Sequence, residues 1–395
     1  MVPPPVRWHE GTLLKSRRLA RAAWRGLQDF NATARSARRL VYYAETAADW
    51  AYLGPMVDAL EARGERVLKI TSDAGDSVLK EADAFFVGSG FAQTALFKAI
   101  QADVFVMTLT DLERLHLKRS VHPVHYVYAF HSIASTHRVY WEHAFDAYDT
   151  IHCVGPHHVD ELRRTEQAYG LRQKRLVPHG YGRLDTLMQD VARHGPNRAA
   201  RGGDVNVLLA PSWGDCSIVK HCLEPLIDVL IAAGFRVAIR LHPMTRRHDP
   251  SLPERLVARI EATGRFQFDP HINTTESVLA ADIMITESSG APLEYAFARE
   301  RPVIFIDTPP KINNPHYARV GAPLLEVDIR EKIGRLVRLD ALDRAPHAVR
   351  ELVGSAEAWA GTIRRVREAT VFNVGRSGAA GPEAVLDTLS SVVRR

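Results

Sequence analysis

Cysteine is scarce: Cys153, Cys216 and Cys222 are the only three in 395 residues. Three scattered thiols build no disulfide framework, and without a CxxC pair they build no zinc site, so we read them as reduced and mostly buried. Long apolar runs are missing too. No stretch comes near the roughly 20 uninterrupted apolar residues that span a bilayer, and the N-terminus lacks the apolar core of a secretory signal. These absences predict a cytoplasmic chain. GxGxxG, GxxxxGK[ST] and GxSxG are likewise absent, which removes the anchors of dehydrogenase, P-loop and serine-hydrolase readings. No set of histidines and carboxylates has metal-binding spacing, since "VGPHHVDE" only sets two histidines side by side at a helix start. Neither a metal nor an organic cofactor is expected.

What is present is an ordinary globular composition, 46% hydrophobic and 25% charged, at a length that favours two domains of roughly 150 to 200 residues. The net charge of +5 is unevenly spread, because residues 1–40 carry nine arginines and lysines against Glu10 and Asp29. The rest of the chain is slightly acidic, which speaks against nucleic acid as a partner. In the basic arm Leu13, Leu14, Leu19, Ala20, Ala23, Trp24 and Leu27 recur at roughly helical spacing. Two readings fit: an amphipathic helix that docks on an anionic membrane surface, or a solvated helix packed on the body.

Beyond the arm, short apolar runs alternate with helical patterns: "RLVYY" at 39–43, "RVLKI" at 66–70, "AFFVG" at 84–88, "DVFVM" at 103–107 and "VHYVYA" at 124–129. The alternation pauses in the glycine- and arginine-rich stretch 193–204. It resumes with "VNVLLA" at 205–210, "FRVAIRL" at 235–241, "DIMIT" at 282–286 and "PVIFI" at 302–306, and turns helical from about 331. Such a pattern predicts an α/β chain of two Rossmann-like domains, with parallel sheets facing each other across a cleft. We place a basic arm at 1–38, a first domain at 39–192, a linker at 193–204, a second domain at 205–345, and terminal helices at 346–395 with reach to cross back to the first domain.

Chemistry-bearing residues collect at strand ends, where ligands of such sheets bind. His131 and Ser132 follow "VHYVYA", and Ser212 and Trp213 follow "VNVLLA". Arg240 and His242 end "IRLHP", where strand alternation puts both on one side and Pro243 stops the ladder. Glu287, Ser288, Ser289 and Gly290 lie between the strand "ADIMIT" and the helix "APLEYAFARE". The unpaired first amides of that helix suit a phosphate, though a serine there also serves as an ordinary cap. Arg240 and His242 beside it suit a diphosphate; the competing possibility is an arginine in a structural ion pair and a histidine satisfied by backbone. His131, facing the cleft from the first domain, is the candidate base.

In order along residues 120–310, these segments resemble the CDP-glycerol glycerophosphotransferase family, which primes and extends teichoic acids and related capsular polymers. The family's "HGTPLK" segment corresponds to "FHSIAST", with His131 kept. Its "G.PR.D.L" resembles "HGYGRLDTL", keeping Gly180, Arg183, Asp185 and Leu187, so Gly180 and Arg183 join Ser132 as further cleft candidates. "APTW.D" resembles "APSWGD", "K.HP" resembles "IRLHP", and "ADVLITDYSS" resembles "ADIMITESSG". The resemblance implies a GT-B fold, with the nucleotide donor in the second domain and the acceptor entering from the first. His131 and His242 would be the catalytic histidines and Ser288 and Ser289 the family's serine pair. The lysine of the first motif is missing, "DYSS" has become "ESSG", and "DTPPKINNPHY" replaces the family's usual pattern after the next strand.

The resulting expectation is transfer of glycerol phosphate, or a similar alditol phosphate, from a CDP-linked donor to a hydroxyl of a membrane-linked glycan at the inner face of the cell membrane. His131 would take the acceptor proton, while Arg240, His242, Ser288, Ser289 and the helix terminus would stabilise the phosphates as CMP leaves. The departures leave open a GT-B glycosyltransferase with a nucleotide-sugar donor. The same residues also admit a sugar epimerase of the same fold, or a non-catalytic protein that docks on membranes through the basic arm.

Overall fold

The computed structural model describes residues 10–114, 116–195, 204–261, 264, 266–269 and 275–393. Most of the linker placed at 193–204, and the first nine residues of the arm, lie outside the described residues.

Two all-parallel sheets carry the fold. The first contains β1 (Leu40–Ala44), β2 (Val67–Thr71), β3 (Ala84–Phe86), β4 (Val104–Met107), β5 (His125–Ala129), β6 (Thr150–Cys153) and β7 (Arg175–Pro178), in the order β3-β2-β1-β4-β5-β6-β7. The second contains β8 (Asn206–Leu209), β9 (Arg236–Ile239), β10 (Phe266–Phe268), β11 (Ile283–Thr286), β12 (Val303–Asp307) and β13 (Gly334–Arg338), in the order β10-β9-β8-β11-β12-β13. Each order reverses beside the sheet's first strand, and ligand crevices of open α/β sheets lie at such switch points. The central strands read as unbroken apolar runs because helices cover both faces; β1 is buried at all five positions.

Four strands depart from the sequence reading. β6, "TIHC", was hidden by two polar residues, Thr150 and His152, that are completely buried. β7, β10 and β13 are outer strands, where one open edge relaxes the demand for an apolar run. β13 also corrects the helical reading from 331 onward, since "GRLVR" pairs in parallel with β12. The strand in "IRLHP" ends at Ile239, and Pro243 opens a short helix, Pro243–His248, instead of terminating a ladder.

Residues 10–32 form one helix that packs on the edge of the first sheet. Ala23, Leu27 and Phe30 are buried, and Phe30 meets Phe85 edge-on at 5.6 Å. Gly26 permits this seating, because a Cβ there would lie 2.0 Å from the Phe86 carbonyl oxygen. At the other end of the chain, the Ser377–Val393 helix crosses back to the first sheet. Its Val385 and Leu389 join Leu53, Met56 and Leu60 of the Trp50–Glu61 helix in one buried layer over β1 and β4. Each such side chain contributes about 1.5–3 kcal/mol by burial. Asp185 fixes the start of that helix by accepting the Gly375 and Ser377 amides at 2.7 Å each. Among the described residues no helix is long and apolar enough to cross a membrane.

Candidate functional site

A cavity of about 1180 Å³ lies between the carboxyl edges of the two sheets. Of the residues singled out in the sequence, His131, Ser132, Arg183, Ser212, Trp213, Arg240, His242, Ser288, Ser289 and Gly290 line it. Glu287 and Gly180 do not. Glu287 is buried and accepts both the amide and the hydroxyl of Ser212, at 2.8 and 2.6 Å, so it ties the end of β11 to the end of β8. Gly180 has φ +101°, and a Cβ there would come within 2.4 Å of the Phe372 carbonyl oxygen. It gives the returning C-terminal segment room to pass.

On the second sheet, β9, β8 and β11 are neighbours, so the segments after them converge by topology alone. His242 caps the Pro243–His248 helix, its Nδ1 accepting the Met244 amide at 3.1 Å. That bond assigns the ring proton to Nε2, which remains a donor. Burial and the positive charge of Lys311 push the His242 pKa down to about 4, so the ring is neutral at pH 7. Ser289 Oγ is buried in the cavity wall with no hydrogen-bond partner among the described residues. Ser288 Oγ instead accepts from the Arg330 guanidinium. Gly290 stands at the start of the nine-residue Ala291–Arg299 helix, and Gly290 and Ala291 both line the same space, although Pro292 brings no amide N–H to that terminus. Arg240 is held by Asp269 at 2.9 Å and by Ser277 Oγ. What it shows the cavity is a charge already compensated.

On the first sheet, His131 follows β5, and both of its ring nitrogens meet phenols: Tyr128 Oη at 3.3 Å from Nδ1 and Tyr140 Oη at 3.2 Å from Nε2. Burial lowers its pKa, opposed by the carboxylate of Asp49 and the carbonyl of Thr108. The ring is therefore neutral at pH 7. Tyr181 donates its hydroxyl proton to Glu294 at 2.8 Å, and the same Oη lies 3.2 Å from the His131 carbonyl. Arg183 completes the bridge, its Nε 2.8 Å from the other Glu294 oxygen. The two sheet edges are also in close contact, since a Cβ on Gly290 would lie 3.1 Å from Ser132 Oγ.

The sequence reading missed Tyr128, Tyr140, Glu294, Asp49 and Lys311. Lys311 places its ammonium 3.9 Å from the centroid of Trp213 and lines the cavity beside His242. Its signal was a lone lysine in "DTPPKINNPHY" after β12. Tyr128 carried no signal, because a tyrosine in an aromatic-rich strand reads as core, and Tyr140 stands in an irregular segment with no motif around it.

Two parallel sheets of Rossmann-like order, with one cleft between their carboxyl edges, make this an α/β protein of the GT-B fold. No protein-family model matches the chain, and no curated protein does. Solved structures do. The wall teichoic acid polymerase TagF is similar at TM-score 0.61 and 13% identity, over 98% of this chain and 100% of that one. The UDP-GlcNAc 2-epimerase of Methanocaldococcus jannaschii, in complex with UDP-GlcNAc and UDP, is similar at TM-score 0.55 and 14% identity, over 88% and 99%. The UDP-N-acetylglucosamine 2-epimerase of Rickettsia bellii gives TM-score 0.56 and 12% identity, over 90% and 97%. At such identities the likeness is one of fold.

Proposed function

We propose that the chain transfers glycerol phosphate, or a similar alditol phosphate, from a CDP-linked donor to a hydroxyl of a membrane-associated glycan in surface-polymer synthesis. The observation that carries this reading is the pairing of two unlike sets of groups across one cavity. A neutral imidazole, His131, stands on one edge. On the other stand donors suited to a diphosphate: His242 Nε2–H, Ser289 Oγ, the Ala291–Arg299 helix terminus and Lys311.

In the reaction so assigned, the second-sheet edge holds the donor's two phosphates, and Trp213, flanked by Lys311, closes one side. His131 accepts the proton of the incoming hydroxyl, whose oxygen attacks the β-phosphorus in line with the departing CMP. Charge growing on the phosphates is met by donors fixed before the reaction begins, which is where such sites gain most of their rate. The TagF structures include a variant soaked with CDPG, which supports a CDP-linked donor here.

The Glu10–Ala32 helix supplies the membrane side of the proposal. Arg17, Arg18, Arg21 and Arg25 are exposed, and on an ideal helix they point away from buried Ala23 and Leu27. Trp24, 42% exposed, stacks on Phe91, 77% exposed, at 5.7 Å. Arginines with exposed aromatics fit an anionic bilayer at the inner face of the cell membrane.

A second reading, transfer from a nucleotide sugar, is favoured by the somewhat narrower fold likeness to the UDP-GlcNAc epimerases. A thermal-unfolding panel with CDP-glycerol, CDP-ribitol, CMP, UDP, GDP and their sugars separates the two. A donor at 100 times its Kd stabilises by about 2.7 kcal/mol, a rise of a few degrees. Selective stabilisation by CDP-alditols is expected; a rise with UDP- or GDP-sugars alone contradicts the first reading.

A further inference from the structure

A neutral imidazole offers one N–H and one lone pair, and in His131 both are met by phenols in unlike settings. Tyr128 is completely buried, with Phe130, Phe145 and Tyr148 at centroid distances of 4.9, 4.9 and 5.2 Å. Tyr140 stands in the cavity wall, flanked by Val139 and Trp141, its Oη 3.2 Å from Nε2. The Nε2 nitrogen of His131 is thus already met by the hydroxyl of a residue that itself lines the cavity. A substrate hydroxyl that reached Nε2 directly would have to displace it. A substrate hydroxyl that met Tyr140 would not.

Resting on the assignment of His131 as the base, we propose that Tyr140 relays the proton from the acceptor hydroxyl to His131. In the reactive arrangement Nδ1 carries the ring proton and donates it to Tyr128 Oη, while Nε2 accepts from the Tyr140 hydroxyl. The acceptor hydroxyl passes its proton to Tyr140 Oη as the proton already on Tyr140 passes to Nε2. The electron pair freed on the acceptor oxygen forms the new bond to phosphorus. The pair of the broken phosphorus–oxygen bond leaves with CMP.

Tyr140 ends as it began, a phenol, and His131 ends as an imidazolium whose charge is favoured by Asp49 and by the Thr108 carbonyl. After product leaves, the proton returns through Tyr140 to water. Burial raises the Tyr140 pKa further above that of a free phenol, so Tyr140 passes the proton in concert with His131 and does not act as a base alone.

Tyr140→Phe removes the hydroxyl and keeps the ring against Phe145, 5.4 Å away. With the full chain, the relay predicts a fall in kcat of about 10²-fold or more, the usual contribution of a proton-transfer group, with donor KM unchanged. It further predicts that adding Tyr140→Phe to His131→Ala costs nothing more, because the two act as a unit. Wild-type kcat in Tyr140→Phe overturns the proposal. Nitrogen-15 NMR of the His131 ring tests it without any substrate: an Nδ1–H tautomer is required, and an Nε2–H tautomer overturns it. Should the wild type turn over no donor, the assigned reaction fails and the relay with it; turnover by the wild type with an undiminished kcat in Tyr140→Phe overturns the relay alone.

Discussion

His242 caps a helix through Nδ1 and also lines the cavity, and substitutions can separate the cap from the proposed donor contact of Nε2–H. His242→Ala removes both, with a stability loss of about 1 kcal/mol for the cap and weaker donor binding for the missing Nε2–H. His242→Asn restores a capping oxygen in place of Nδ1, and its amide nitrogen falls near the ring's Cδ2, so no donor stands where Nε2–H was. The expected result, read by thermal melts and by donor titration, is that Asn recovers stability and not affinity. If Asn recovers both, the ring contributes only as a cap.

At the scale of elements, the returning Ser377–Val393 helix depends on close approach. Gly381 lies so near the first sheet that a Cβ would come within 2.7 Å of His179 Nε2 and 2.8 Å of Met56 Cγ. Gly381→Ala therefore lowers the melting temperature by about 1–3 °C, the shift that about 1–2 kcal/mol produces in a chain this size. A wild-type melt would mean that the helix shifts freely on the Trp50–Glu61 helix. The same scale shows what was legible in the sequence. Central strands such as β1, β4, β8 and β11 announced themselves, because burial on both faces demands continuous apolar runs. β6 did not, because its Thr150 and His152 are polar residues placed in the core. The strand ends carrying Ser212, His242 and Ser289 were legible because a buried run that stops at polar residues has few structural explanations. The partners that give the cavity residues their states were not. Tyr140 reaches the His131 ring from nine positions along the chain, and Glu294 meets Tyr181 across 113. Only the folded chain sets them at the cavity.

Across the whole molecule, the first and second sheets are locked by buried polar bridges as well as by apolar contact. Arg138 and Glu326, both almost completely buried, pair at 2.7 Å, and Glu326 also accepts the Ser135 amide at 3.0 Å. The first sheet carries a further load of buried, neutral histidines. Burial lowers His152 well below the ordinary value, His179 to about 4 and His158 to about 3. Unfolded, all three titrate near about 6.5. Below that pH the unfolded chain binds protons that the folded chain refuses, so stability is complete above about pH 6.5 and declines as pH falls toward 4. The His179 shift alone corresponds to about 3 kcal/mol at its limit. Melts across this range should show that decline, lessened in His179→Gln; an equal decline in the variant would place the acid sensitivity elsewhere.

The central claim is phosphotransfer from a CDP-linked alditol, and the nucleotide released tests it most directly. The purified chain would be incubated with CDP-glycerol, CDP-ribitol, and UDP- and GDP-sugars over membranes bearing glycan-lipid acceptors, and the nucleotide products separated by chromatography. The account predicts CMP from a CDP-alditol, dependent on acceptor and abolished in His131→Ala. Release of UDP or GDP from a sugar donor, with no CMP from either alditol, would contradict it.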